Sequence, residues 1–194
     1  MSFIAANLGS ALDQLISSAR DLLFVSPFVT SAGVRRCYPA LARGATLRII
    51  CRLNDLDILT GVLEVPALKA AMQKGARIRF HDRKLHAKAW ISEDAAVIGS
   101  ANLTHGGLTS NLESALLVNK ASDPARLRDI QNWANSSAWL RKIWWTPARI
   151  ENRTTGQWQL ERNVQPRRRQ AVEGCLLSLR LRFRRFFFCV LRYV

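Results

Sequence analysis

Carboxylates are scarce in this chain: 14 Asp and Glu stand against 29 Lys and Arg in 194 residues, a formal net charge of +15. A surface so short of negative charge attracts polyanions, by long-range steering and by counterion release. Histidine is rarer still, with three residues, and the four cysteines (Cys37, Cys51, Cys175 and Cys189) form no Cys-x-x-Cys pair. That combination assembles no zinc constellation, and no cofactor is expected from it. Buried free thiols in a reducing, cytoplasmic setting are the expectation. The first residues, Met1 to Asn7, lack the basic start and apolar core of a signal peptide. Long apolar runs are also missing. Phe186 to Leu191 is unbroken but far short of the about 20 residues that span a bilayer, so no transmembrane segment is expected.

What is present concentrates in one stretch. Leu85-His86-Ala87-Lys88-Ala89-Trp90 is followed by Gly99-Ser100-Ala101-Asn102-Leu103-Thr104, and then by Asn111-Leu112-Glu113. His86, Lys88 and Trp90 alternate with Ala87, Ala89 and Ile91, a period-two pattern that predicts a strand with His86 and Lys88 on one face. Ala95 to Ile98 reads as its hairpin partner across the polar turn Ser92-Glu93-Asp94. Gly99-Ser100 ends that strand, and Asn102 or Thr104 caps a following helix. An isolated His on a strand is ordinarily structural. Here an imidazole, an ammonium, a hydroxyl, a carboxamide and a carboxylate recur at spacings that let neighbouring strands gather them around one phosphate.

The order His-x-Lys, strand, Gly-Ser-x-Asn and downstream Glu resembles the HKD motif of the phospholipase D superfamily, most closely over Lys84 to Val118. One departure is visible. The family usually has Asp five residues after the Lys, whereas this chain has Glu93 there with Asp94 beside it, and the spacing to Gly99 is one residue short. The resemblance implies a metal-independent phosphodiesterase that works through a phosphohistidine. His86 is then nucleophile or general acid, while Lys88 and Asn102 neutralise and orient the phosphoryl oxygens. Ser100 donates a further hydrogen bond, and Glu113 accepts a proton from an imidazole and so sets its tautomer. Two histidines are needed, and the chain supplies one motif: neither His81 nor His105 has a Lys two residues later. In the family, short chains solve this by meeting at a two-fold axis, which implies a homodimer sharing one active site.

The remaining elements suggest an α/β fold, helices packed on a mixed sheet, with a domain over 1–150. Leu8, Leu12, Leu15, Ile16 and Ala19 recur at helical spacing. Leu22 to Ser26, Thr46 to Cys51, Arg77 to Phe80 and Ser114 to Val118 read as strands. Val65-Pro66 opens a helix that Gly75 closes, and Ser122-Asp123-Pro124 opens another. Arg52 follows a strand end, where α/β folds place ligand contacts, so it is a candidate for substrate phosphate; an ordinary surface arginine is the competing reading.

Residues 151–166 form a linker or domain end. The tail 167–194 holds eight arginines and Glu173, a charge of +7, leaving +8 on the rest of the chain. Its abrupt change of composition suggests a non-native end; a membrane-surface element or a nucleic-acid arm are the alternatives. Trp133, Trp139, Trp144, Trp145 and Trp158 read first as helix packing and second as base-stacking platforms. Taken together, these features favour a nuclease acting on DNA. The alternatives are a lipid phosphodiesterase or phosphatidyltransferase, and a non-catalytic module that binds nucleic acid to recruit a larger complex.

Overall fold

The computed structural model describes residues 1–5, 8–81 and 84–136, and the backbone alone at Asp55. In chain order the elements are β1 (Ser2–Ile4), α1 (Leu8–Ser18), β2 (Asp21–Val25), α2 (Ser31–Arg36), α3 (Tyr38–Ala42), β3 (Thr46–Arg52) and α4 (Asp55–Leu59). There follow α5 (Val65–Gln73), β4 (Arg77–His81), β5 (Ala89–Ile91), β6 (Ala95–Gly99), α6 (His105–Thr109), β7 (Ala115–Asn119) and α7 (Pro124–Asn135). The expected domain boundary near 150, the linker, the tail and every Trp after Trp133 lie outside the described residues.

One seven-stranded sheet organises the domain, in the order β1-β7-β6-β5-β2-β3-β4. β2, β3 and β4 run parallel to one another, and the remaining neighbours pair antiparallel, so the sheet is mixed as expected. β2 (Asp-Leu-Leu-Phe-Val) is buried along almost its whole length, the continuous apolar run of a strand covered on both faces. On one face, Leu23, Val25, Ile50, Ala89, Ile91, Ala96 and Val118 pack under Leu127 and Ala134 of α7. α1, α3 and α5 pack against β6, β3 and β4 respectively. Cys37 and Cys51 are buried free thiols, and burial pushes the Cys37 thiol up to about 12.

Local chemistry explains the helix boundaries. Pro66 sits in the first turn of α5, and Gly75, at φ +96°, closes it in a left-handed conformation that costs glycine nothing. Asp123 caps α7 by accepting a bond from the Arg126 N–H at 3.1 Å, with Pro124 beginning the helix. Thr104, rather than Asn102, caps α6 by accepting from the Gly107 N–H at 3.2 Å.

Two details of the motif region differ from the sequence expectation. The hydrogen-bonded strand starts at Ala89, so His86 to Lys88 precede the ladder instead of lying within it. Alternation nevertheless extends backwards: Leu85 and Ala87 pack with Ala89 and Ile91 into the core under α7. That leaves His86 and Lys88 to the opposite side. The second detail is Glu93. Its carboxylate reaches across from the hairpin turn and accepts the backbone N–H groups of Arg20 at 2.8 Å and Asp21 at 3.2 Å, fastening the turn to the start of β2. The Asp94 carboxylate makes an exposed ion pair with Lys120 at 3.2 Å. Glu93 is therefore the structural acid of this segment.

This difference has a measurable consequence. Glu93→Ala lowers unfolding free energy by about 1–3 kcal/mol, because it strips two N–H groups of a charged acceptor. Asp94→Ala costs at most about 0.5 kcal/mol, as for other surface pairs. Urea unfolding of both variants checks the order; equal costs contradict it.

Candidate active site

The strand register brings the polar motif residues to one edge of the sheet. Val25 pairs with Ala89, Ala89 with Ile98, Gly99 with Ala115, and Arg52 with His81. The carboxyl ends of β2, β3, β4 and β6 and the amino ends of β5 and β7 therefore coincide. Ser26–Phe28, Arg52, His81, His86–Lys88, Ser100–Asn102 and Glu113 all issue from that edge.

Lys88 lies at its centre. Only 8% of the residue is exposed, an unusual position for an ammonium. Its Nζ donates to the backbone carbonyl of His86 at 2.7 Å and lies 3.3 Å and 3.4 Å from the two nitrogens of the exposed His86 ring. Burial pushes the Lys88 pKa down; Glu113 opposes that shift and the like charge of Arg52 adds to it. The ammonium thus sits in the field of both residues, short of the negative charge it would gain from a bound anion.

Ser100 and Glu113 are joined directly, the Ser100 hydroxyl donating to the Glu113 carboxylate. Ser100 Oγ also accepts from the Ser114 N–H at 3.1 Å, and the Ser100 N–H donates to the Ser114 carbonyl at 3.0 Å. Asn111 Nδ2 donates to the other Glu113 oxygen at 3.1 Å. Among the described residues Glu113 accordingly bonds Ser100 and Asn111 rather than His86. Gly99 makes this seam possible: a Cβ there would stand 2.4 Å from the Ser114 carbonyl oxygen.

Asn102 is held by its backbone. Its carbonyl accepts from the Thr104 N–H at 2.8 Å, and a Cβ on Gly107 would meet that oxygen at 2.6 Å. The next residue, Leu103, donates its N–H to the fully buried Ser26 hydroxyl at 2.9 Å, while its carbonyl accepts from Thr30 at 3.1 Å. The Asn102 side-chain oxygen is buried with no hydrogen-bond partner among the described residues, the condition of a group awaiting a donor.

Arg52 reaches the site edge but is already engaged. It forms a two-pronged pair with Asp57, at 2.6 Å and 2.8 Å, and lies over the Phe28 ring at 5.0 Å. Asp57, 5% exposed, holds that guanidinium in place. Sequence reading missed both Asp57 and Ser26. Neither belongs to a motif, and their roles depend on which loops the sheet brings together.

Comparison with known proteins identifies the family. The family model described as "Cardiolipin synthase, PLD-like domain" matches residues 12–136, well over half of the chain. The chain belongs to the phospholipase D-like family. It is thereby placed in a superfamily of phosphodiesterases. No curated protein matches this family member in sequence. Among solved structures, Nuc from Salmonella typhimurium, a phospholipase D family member, is similar with a TM-score of 0.55 and 20% identity, over 68% of this chain and 88% of that one. The phosphatidylserine synthase of Haemophilus influenzae is similar with a TM-score of 0.55 and 12% identity, over 82% of this phospholipase D-like chain and 45% of its own. NucT from Helicobacter pylori matches with a TM-score of 0.47 and 16% identity, over 69% and 91%. At these identities the property shared with Nuc and with the synthase is the fold.

The buried ammonium predicts a stability effect of definite sign. Because the folded-state pKa of Lys88 lies below its ordinary value of about 10.4, the fold disfavours the charged form. That penalty is fully present at pH values below the lowered pKa and is relieved as pH rises from there toward the ordinary value. Lys88→Met is therefore neutral or stabilising, by on the order of 1 kcal/mol at neutral pH, and its advantage shrinks in alkali. Thermal unfolding of parent and variant across pH checks this; a variant less stable than the parent at neutral pH contradicts it.

Proposed function

We propose that the chain is a metal-independent phosphodiesterase whose substrate is nucleic acid, with DNA the first choice. The observation that carries the reading is the buried Lys88 ammonium against the exposed His86 ring, at an edge that also presents Asn102 and the Ser100–Glu113 pair. An oxyanion entering there would gain Lys88 and Asn102 as donors, in a setting where electrostatic stabilisation is strong. The sequence charge of +15 supports a polyanionic substrate over a neutral one.

In this reading His86 attacks phosphorus and forms a P–N bond as the bond to the leaving oxygen breaks. The partner's His86 protonates that oxygen, then takes a proton from the water that releases the phosphate and restores the first imidazole. Lys88 holds non-bridging oxygens throughout, and Glu113 acts through Ser100 and Asn111 to keep the rim in register. A homodimer follows from the chemistry, because among the described residues one His-x-Lys supplies one nucleophile and the second proton carrier must come from a second copy.

A lipid phosphodiester is the second reading. It draws on exposed apolar side chains in the loops at this end of the sheet: Leu56 and Leu59 in α4, and Leu112, which is 98% exposed. Among the described residues no helix is long and apolar enough to cross a membrane.

Cleavage of single- and double-stranded DNA in EDTA tests the proposal. Cutting that persists in EDTA and vanishes in His86→Ala is expected; cutting retained by His86→Ala, or lost on chelation, overturns the histidine mechanism. Turnover of phospholipid vesicles without DNA cleavage would move the assignment to the second reading. A shared active site further predicts that specific activity per chain falls on dilution through the dimer dissociation constant. Constant specific activity in a preparation that sedimentation shows to be monomeric contradicts it.

A further inference from the structure

Exposed leucines stand on either side of the candidate site. Lys88 leads into β5, Leu112 lies in the loop that leads into β7, and Leu56 and Leu59 belong to α4, which follows β3. β7 and β3 are each two strands from β5, about 10 Å at the usual strand spacing. All three leucines are exposed, Leu112 almost wholly. Their three-residue separation puts Leu56 and Leu59 on one side of the single turn of α4. Polar bonds fix both groups at the base. Beside Leu112, Glu113 is bonded to Ser100 and to Asn111, and the Asn111 N–H donates to the Gly106 carbonyl at 2.8 Å. In α4 the buried Asp57 grips Arg52, its carbonyl accepts from the Leu63 N–H at 3.0 Å, and Asn54 caps the helix by accepting from the Leu56 N–H at 3.1 Å. Apolar side chains carried on such fixed backbone lose less freedom on meeting a partner than those on a loose loop.

The chemistry of the site specifies what covers these leucines. One His-x-Lys supplies one imidazole for a reaction that uses two, so a second copy has to meet this same edge. A two-fold axis beside Lys88 that exchanges the flanks sets the β7 side of one copy against the β3 side of the other, and the contact then occurs twice. We propose that Leu112 of each copy packs against Leu56 and Leu59 of the second copy, two equivalent apolar contacts that seat the homodimer on both sides of the shared site. This contact rests on the two-histidine reading given above. Apolar contacts suit the task, because copies that each carry +15 repel one another through their charge.

The test compares the full chain with Leu112→Lys, with Leu59→Glu and with the double variant. Sedimentation gives the dimer dissociation constant of each, and DNA cleavage per chain is followed against protein concentration. Each single variant is expected to raise the dissociation constant at least about tenfold, since two buried apolar contacts are lost per dimer. Activity should then return as protein concentration is raised, which also shows that the variant is folded. The double variant sets a lysine against a glutamate in each contact; it should regain most of the loss at low salt and forfeit it at high salt. Single variants that dimerise like the parent overturn the proposal. Additive weakening in the double variant overturns the pairing of the two flanks. Unchanged dimerisation with weaker binding of phospholipid vesicles by Leu112→Lys also overturns it, and assigns the leucines to a membrane surface. The parent's own behaviour tests the underlying reading separately: DNA cleavage by a monomeric parent contradicts the two-histidine reading, whatever the variants do.

Discussion

The seam where β5, β6 and β7 meet sets the geometry on which the candidate site depends. The Gly99 N–H donates to the Lys88 carbonyl at 3.2 Å, and the absence of a Cβ at Gly99 lets the Ser114 carbonyl approach from the other side. One residue thereby fixes Lys88 beside β6 and Ser100 beside Glu113. A slip of one residue in the β5–β6 hairpin would turn Lys88 to the α7 face of the sheet and replace it with an alanine. Glu93 guards against that slip by tying the hairpin turn to the start of β2.

Around this seam the protein accepts stability costs for chemistry. Lys88 is buried with its charge disfavoured, and the Asn102 side-chain oxygen is buried without a partner among the described residues. Burial disfavours the Lys88 charge, a cost that an oxyanion relieves, whereas the Asn102 oxygen is an acceptor that only a hydrogen-bond donor satisfies. The supporting loops are, by contrast, well satisfied. Ser26 bridges the Phe28 carbonyl and the Leu103 N–H, and Gly33 lies so close to Leu103 that a Cβ would stand 2.2 Å from its carbonyl oxygen. A rigid second layer under an unsatisfied first layer is the arrangement expected of a binding site built before its ligand arrives.

Much of this was legible in the sequence because it is local. The period-two alternation from Leu85 to Ile91 gave the side of His86 and Lys88, the Ser92–Asp94 turn gave the hairpin, and the Pro and Gly positions bracketed α5. Strand ends moved by a residue or so: Asp21 joined β2 in place of Ser26, and β7 began at Ala115. The short elements were not legible. α2, α3 and α4 have six residues or fewer, too few for a helical period to repeat, and β1 is an edge strand defined only by its pairing with β7. Non-local contacts were equally hidden. Nothing near Asp57 announces that it will hold Arg52, and nothing near Glu93 announces Arg20 and Asp21, since both bonds arise from tertiary placement.

The central claim is that this edge binds an oxyanion through the Lys88 ammonium beside His86. The most direct measurement is a titration with inorganic vanadate, a phosphate mimic, followed by the nitrogen NMR resonances of the histidine side chains in the parent and in Lys88→Met. The account predicts saturable shifts of the His86 ring in the parent and none in the variant, with His105 unmoved in both. Equal binding by parent and Lys88→Met, or shifts that spare His86, would contradict it.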